Sequence, residues 1–271
     1  MKKKECFIKL LSERKSVEVI YGCSGQLTHE NEKFNSKALQ EFVHSIKLPE
    51  SWQTGKFHSV FSVRKNNKNL GMPENNLLSL SYGNIVRKDM NNNEGLIPES
   101  YETYQIVYPG DIVLRLTDLQ NDKRSIRQGL VKEKGIVTSA YDAVYVSKNH
   151  DPAFWAYTLL SLDLAKYYYS LGGGVRQSIK FKDIPNMLVK FPDLEEQRRI
   201  AIGIESKIRK MDELIGKIEL SIKYLKELKS SIVTEAVTGN LDITKWKNRG
   251  TSNYQLVKIE NNIANSKKVT T

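Results

Sequence analysis

A chain of 271 residues with 39% hydrophobic and 27% charged residues has the composition of a globular protein able to bury a real core. No apolar run approaches the ~20 residues that span a bilayer, and the Lys-rich start, Met1 to Lys4, leads into Glu5 and Lys9 rather than an apolar signal core, so a cytoplasmic location is expected. Two cysteines, Cys6 and Cys23, are too few for a disulfide framework, and the net charge of +11, from 42 Lys and Arg against 31 Asp and Glu, suits a polyanionic partner, with plain solubility as the alternative reading.

Residues 1–48 read as an N-terminal extension without sustained periodicity. Within it Ala38, Leu39, Phe42, Val43 and Ile46 share one face of a short helix capped by Asn35 or Ser36. Residues 49–193 read mainly as strands and turns. SVFSV (59–63), NLLSLSYGNIV (76–86), YQIVYPGDIVLRL (104–116) and GIVTSAYDAVYVS (135–147) are β-rich runs punctuated by Asn, Gly, Pro and Asp. After Asp151-Pro152, large residues recurring at i, i+3 and i+4 predict one helix over AFWAYTLLSLDLAKYYYSL, stopped by Gly172-Gly173-Gly174.

A long helix follows over 194–241. Pro192 marks its start, Asp193 serves as N-cap with Glu195 and Glu196 favourable in the first turn, and Gly239-Asn240 ends it. Ala201, Ile204, Ile208, Met211, Ile215, Ile218, Ile222, Leu225, Ile232 and Ala236 follow steps of three and four, broken only by Lys229. That 3.5-residue period keeps one apolar seam turned toward a partner helix. A helix of this length spans roughly 65 Å, more than one small domain can cover, so a partner helix of similar length is expected. Gly203 and Gly216 lie inside it and either permit a close helix approach or mark a bend. Residues 242–271 form a basic tail. The helix is almost neutral, with 9 basic and 8 acidic groups over 194–238, whereas residues 51–193 carry 18 against 14. A balanced helix suits a protein partner and a basic domain suits nucleic acid.

No catalytic constellation is found. There is no GxGxxG after a strand, no P-loop and no GxSxG turn, and the four histidines are scattered. Asp193, Glu195 and Glu196 are explained by the helix N-terminus rather than by a nuclease centre. No metal site or cofactor is expected, and the chain reads as a binding module rather than an enzyme. Two segments carry the residue types of DNA reading. One is RLTDLQNDKRSIRQG (115–129), which offers Arg115, Thr117, Gln120, Lys123, Arg124, Arg127 and Gln128. The other is GGGVRQSIKFKDIP (172–185), which offers Arg176, Gln177, Ser178 and Lys180. Arg pairs guanine bidentately, Gln or Asn pairs adenine, and Lys neutralises phosphate. Ser139, Tyr141 and Asn84 are weaker candidates. A solvated charged loop and a polar helix C-cap explain the same two segments without DNA. The tyrosines of AKYYYS (165–170) read as rings packed on the sheet.

The order of motifs resembles the specificity (S) subunits of type I restriction–modification systems. LPESW stands at 48–52 and PGDIVLRLTD at 109–118, then GGGVRQSIKFKDIPNMLVKFPDLEEQRRIA, then a heptad helix closing on IVTEAVTGNLD at 232–242. The resemblance implies an α+β fold, with a β-rich target recognition domain over 49–193 that packs a helix, followed by one coiled-coil spacer helix. It further implies a non-catalytic subunit that binds double-stranded DNA. Such subunits dock modification (methyltransferase) subunits, which hold S-adenosylmethionine, and recruit a restriction subunit. Family members commonly carry two recognition domains and two spacer helices, while this chain has one of each. An antiparallel homodimer, or pairing with another half-subunit, would supply the missing half. The helix-partner seam would then be Ile204, Ile208, Met211, Ile215, Ile218, Ile222, Leu225 and Ile232. A coiled-coil scaffold and a DNA-binding protein outside restriction–modification remain the competing readings.

Overall fold

A computed structural model of the chain describes residues 1–24, 48–89, 98–119, 126–171 and 178–240. Its elements run in the order α1 (Lys2–Cys23), β1 (Gln53–Lys56), α2 (Phe57–Val60), β2 (Phe61–Val63), β3 (Leu78–Ser81), β4 (Asn84–Arg87), β5 (Gln105–Val107), β6 (Ile112–Leu114), β7 (Gln128–Leu130), β8 (Gly135–Val137), β9 (Asp142–Val146), α3 (Pro152–Leu164), α4 (Tyr167–Ser170), β10 (Leu188–Phe191) and α5 (Leu194–Val237). The chain divides into two compact units, one of Phe7–Leu214 and the other of Met1–Cys6 with the helix from Ile215 onward. The expected α+β class, a β-rich domain with a packed helix followed by a long helix, is what the structure shows.

In the larger unit four antiparallel strands lie in the order β2-β9-β6-β7. Gly110 takes φ +90° and the Asp111 amide donates to the Tyr108 carbonyl at 3.0 Å, which is the turn that Pro109-Gly110-Asp111 demands. The chain then enters β6, whose three residues are all fully buried. Side chains alternate across a strand, so β6 feeds two cores. Ile112 and Leu114 join Val144, Phe57, Phe61, Phe154, Trp155, Leu159, Tyr168 and Phe181 on the α3 face, while Val113 joins Leu78, Val107, Val131, Val137 and Ala143 on the other. Each such side chain contributes about 1.5–3 kcal/mol of burial. The second face is covered by the β3–β4 hairpin and the β5–β8 pair. Gly129 is needed there, because a Cβ on it would come within 2.7 Å of Leu80 and 2.9 Å of Ile85. At the start of β6 the buried Asp111 is held bidentately by Arg64 at 2.8 and 2.9 Å, and Arg64 is itself sandwiched 4.8 Å from the rings of Tyr108 and Tyr145. Hydrogen bonding to that carboxylate raises the Arg64 pKa further above its ordinary value.

The helix after Asp151-Pro152 forms as expected, with Asp151 Oδ1 accepting the Phe154 amide at 2.8 Å. It is not continuous through the tyrosines, however. Lys166 adopts φ 62° and breaks it into α3 and α4. The break turns Tyr168 back into the core, where its hydroxyl donates to the Leu159 carbonyl at 3.1 Å and burial pushes its pKa well up. Three elements have no counterpart in the sequence reading. These are β7, and β1 with β10, which pair antiparallel although they lie far apart in the chain; in addition, the helical turn α2 takes Ser59 and Val60 out of the expected strand 59–63, so that β2 begins at Phe61.

The largest correction concerns residues 1–24. They form a 22-residue helix rather than an aperiodic extension, while the short helix expected near Ala38 lies outside the described residues. In the larger unit α1 packs on the first half of α5. Glu18 is buried between Arg14 at 2.8 Å and Lys207 at 2.7 Å, Lys15 pairs with Asp212, and a Cβ on Gly22 would meet Ile204 at 2.5 Å. Moving forward on α1 moves backward on α5, so the two helices are antiparallel. Val19, Cys23 and Ile204 close a small core with Ile200, Ile208 and Tyr157, and burial pushes the Cys23 thiol up to about 12. In the smaller unit Lys4 Nζ donates to Ser221 Oγ. The α5 termini follow expectation: Asp193 Oδ1 accepts the Glu196 amide at 2.8 Å, and Gly239 has φ +73° just past the last turn. Gly203 and Gly216 have nothing within 4 Å of a built Cβ, so neither marks a close approach within the described chain.

Next to the start of α5, the His150 ring lies 4.8 Å from Phe191 and 5.6 Å from Trp155, and burial lowers its pKa from 6.5. As pH falls through and below about 6.5, the unfolded chain binds a proton that the folded ring resists. Stability is therefore expected to fall on acidification in that window. His150→Phe, which keeps the ring and removes the titration, should flatten this part of the slope in urea unfolding measured from pH 7 to 5.

Candidate nucleic-acid interface

The two polar segments singled out in the sequence meet at one end of the four-stranded sheet. The register pairs Leu114 with Gln128 and with Asp142, so the end of β6 and the starts of β7 and β9 are neighbours. Past β6 the chain stays extended: the Arg115 amide donates to the Arg127 carbonyl at 2.7 Å, and Ile179 N donates to the Leu116 carbonyl at 2.9 Å. Asp118 N donates to Ser178 Oγ at 3.3 Å. Residues 115–118 thus run between residue 127 and the segment 178–180. The turn 138–141 joins the same end through Asp142, whose carboxylate accepts the Phe181 amide at 2.8 Å and lies 3.7 Å from Lys180 Nζ.

Of the expected contact residues, Ser139, Ser178 and Lys180 are exposed, and Arg115, Thr117 and Tyr141 are half-buried. These six come together here. Gln120, Lys123, Arg124, Arg176 and Gln177 lie outside the described residues. Arg127 and Gln128 require correction. Both are buried, at 0% and 3% exposure, so neither side chain is presented to a duplex. Arg127 instead holds the loop from beneath. Its Nη1 donates to the Thr117 carbonyl at 3.0 Å and its Nη2 to the Asp118 carbonyl at 3.3 Å, with the Tyr169 ring 5.9 Å away. Its own amide donates to the Asp163 carboxylate of α3 at 2.8 Å. Gln128 faces the α3 side beside Leu114.

Composition could not show these depths, because an Arg in a basic loop reads the same whether it points out or in. The sequence also gave no reason to single out Tyr82. It stands at the tip of the β3–β4 hairpin, 81% exposed. A signal existed in the YG dipeptide between two alternating runs, which is a two-residue hairpin turn. Among the described residues no group of His, Cys, Asp and Glu gathers into a metal site, and no helix is long and apolar enough to cross a membrane.

The buried guanidinium gives a direct test of this geometry. Arg127→Met strips two main-chain carbonyls of their donor inside the fold, and should lower unfolding stability by about 2–4 kcal/mol. The readout is the urea midpoint, and an unchanged midpoint would show that the side chain does not support the loop.

Comparison with known proteins adds independent information. No curated protein matches the sequence. Among solved structures, one described as the "complex assembly and conformational transition of the type I R-M system" superposes with a TM-score of 0.53 at 15% identity, over 88% of this chain and 58% of that one. The HsdS subunit from Thermoanaerobacter tengcongensis matches with a TM-score of 0.43 at 15% identity, over 88% of this chain and 57% of its own. The type I restriction–modification S subunit from M. genitalium gives 0.43 at 13% identity, over 83% and 55%. The first of these shares the fold, and the chain spans little more than half the length of each. The model of the type I restriction modification DNA specificity domain matches residues 49–224, most of the chain. On that match, the chain belongs to the type I restriction–modification DNA specificity family.

Proposed function

We propose that this chain is the DNA sequence-recognition subunit of a type I restriction–modification complex, reading one half of a bipartite target. The observation that carries the reading is the convergence, at one sheet end, of residues 115–118, 138–142 and 178–180, three polar segments remote in sequence. Arg115 offers bidentate hydrogen bonds to a guanine edge, Thr117, Ser139 and Ser178 offer hydroxyls, and Lys180 neutralises phosphate. The chain itself does no chemistry in this reading. Methyl transfer and cleavage belong to the modification subunits, which hold S-adenosylmethionine, and to the restriction subunit. The recognition domain is 49–193, with α5 as the spacer helix that docks them. Methylome sequencing of cells with and without the chain tests the proposal. A bipartite motif should lose methylation when the chain is removed, and Arg115→Ala should abolish or relax one position in each half. An unchanged methylome would remove the proposal.

We further propose that a second copy supplies the missing half through α5. Ile204 and Ile208 are already covered by α1, so a partner helix does not have the whole seam available. Further along, Ile222 is buried, while Leu225 on the seam is 40% exposed, with Tyr224 at 59%, Leu228 at 57% and Val233 at 52% flanking the seam, an exposed apolar surface on the second half of the helix. Two such surfaces packed antiparallel around a two-fold axis would make the target palindromic. Mass photometry should find a dimer at micromolar concentration that Leu225→Glu with Ile232→Glu converts to monomer. A strictly monomeric wild-type chain, alone and with modification subunits, would overturn the pairing.

A further inference from the structure

We infer that Tyr82, at the tip of the β3–β4 hairpin, is a DNA-contacting residue that enters the groove beside the base-reading segments. The inference rests on the DNA-recognition reading above and extends it to an element outside the expected contact set. Ser81 pairs with Asn84, and the two residues between them, Tyr82 and Gly83, have φ 46° and 81°, which defines a type I′ turn. Both central positions of that turn are left-handed, and Asn-Gly or Asp-Gly is the inexpensive solution. Here the first position holds a bulky aromatic in a backbone region that such residues rarely adopt. Among the described residues none covers the ring, which is 81% exposed.

The hairpin is anchored firmly enough to aim it. Leu80 and Ile85 press on Gly129 of β7, and a Cβ on Gly83 would come within 2.9 Å of Ile126. Ile126 is the residue before Arg127, whose guanidinium carries the main chain of Thr117 and Asp118. The hairpin tip therefore lies against the flank of the loop that holds Arg115 and Thr117. Asn84 is exposed beside the tyrosine and adds an amide able to read an adenine edge. A tyrosine presented this way offers a flat face for stacking on a sugar or an unstacked base and a hydroxyl for a groove edge or phosphate. A two-stranded ribbon is also narrow enough to enter the major groove.

The discriminating variant is Tyr82→Asn, because it removes the ring while giving the turn a residue it prefers. The purified full chain is used to select binders from a pool of random 40-bp duplexes, and affinity for the enriched duplex is then measured for wild type, Tyr82→Asn and Tyr82→Phe. The thermal midpoint of Tyr82→Asn should equal or exceed that of wild type while its affinity falls about tenfold. Tyr82→Phe should retain most of the affinity if stacking dominates, and should match Tyr82→Asn if the hydroxyl does; either result supports the contact. Wild-type affinity in Tyr82→Asn would overturn the inference while leaving the recognition reading intact. If wild type enriches no duplex, the recognition reading fails and the inference fails with it.

Discussion

A guanidinium cannot be deprotonated inside a protein, so a buried one must find acceptors, and the order at this end of the four-stranded sheet follows from where Arg127 finds them. Its two main-chain acceptors, at Thr117 and Asp118, belong to the strand extension that carries the candidate contacts. Its amide is fixed by Asp163 on α3 and its charge faces the Tyr169 ring on α4. A helix on one face of the sheet thereby sets the path of a loop at the sheet's end. The residues free to contact a ligand sit on main chain that is tied on both sides, by residue 127 on one flank and residues 178–179 on the other. Such double restraint limits the conformational entropy lost when a groove is engaged.

Much of the framework was legible in the sequence. The Pro-Gly-Asp turn, the start of the helix after Asp151-Pro152 and the start and stop of α5 rest on local chemistry that needs no tertiary context, and all three formed as expected. Where the reading failed, the missing information was long-range. The buried residues of α1 are Val17, Glu18, Val19, Ile20, Tyr21 and Cys23, a nearly continuous run at its C-terminal end rather than a stripe recurring at i, i+3 and i+4, so no helical period marks its packed face. That face is made burial-competent by partners on α5, above all Lys207 against Glu18, and these cannot be seen from α1 alone. The break at Lys166 is of the same kind: local propensity favours an unbroken helix, and what overrides it is the pull of Tyr168 into the core between sheet and helix.

At the site the division is sharper. Sequence composition located both polar segments but could not order them by depth. Arg115 and Arg127 are alike in type and neighbourhood, yet one is partly exposed and the other wholly enclosed, because the register of β6 against β7 turns residue 127 under the loop. Tyr82 is the opposite case. The YG dipeptide between two alternating runs marks its turn, but the 81% exposure at that turn is what shows the ring standing clear of the sheet.

The pairing of β1 with β10 has a consequence for how such a chain can change. Gln53 lies opposite Phe191, so the peptide enters and leaves the β-rich domain through two adjacent antiparallel strands, a few residues before α5 begins. Between them lie the four-stranded sheet, its two cores and the loops at its end, and α3 adds a second junction, with Tyr157 packed on the core of Val19, Cys23 and Ile204 and the Asp151 amide donating to Gln197 Oε1 at 3.0 Å. A folded body attached through neighbouring ends can be exchanged as a unit, provided that the α3 residues meeting the helices are kept. The loops at the sheet's end can thus vary while what holds them stays constant, and the boundary runs through the four-residue ladder joining 53–56 to 188–191 and the α3 face that meets α1 and α5.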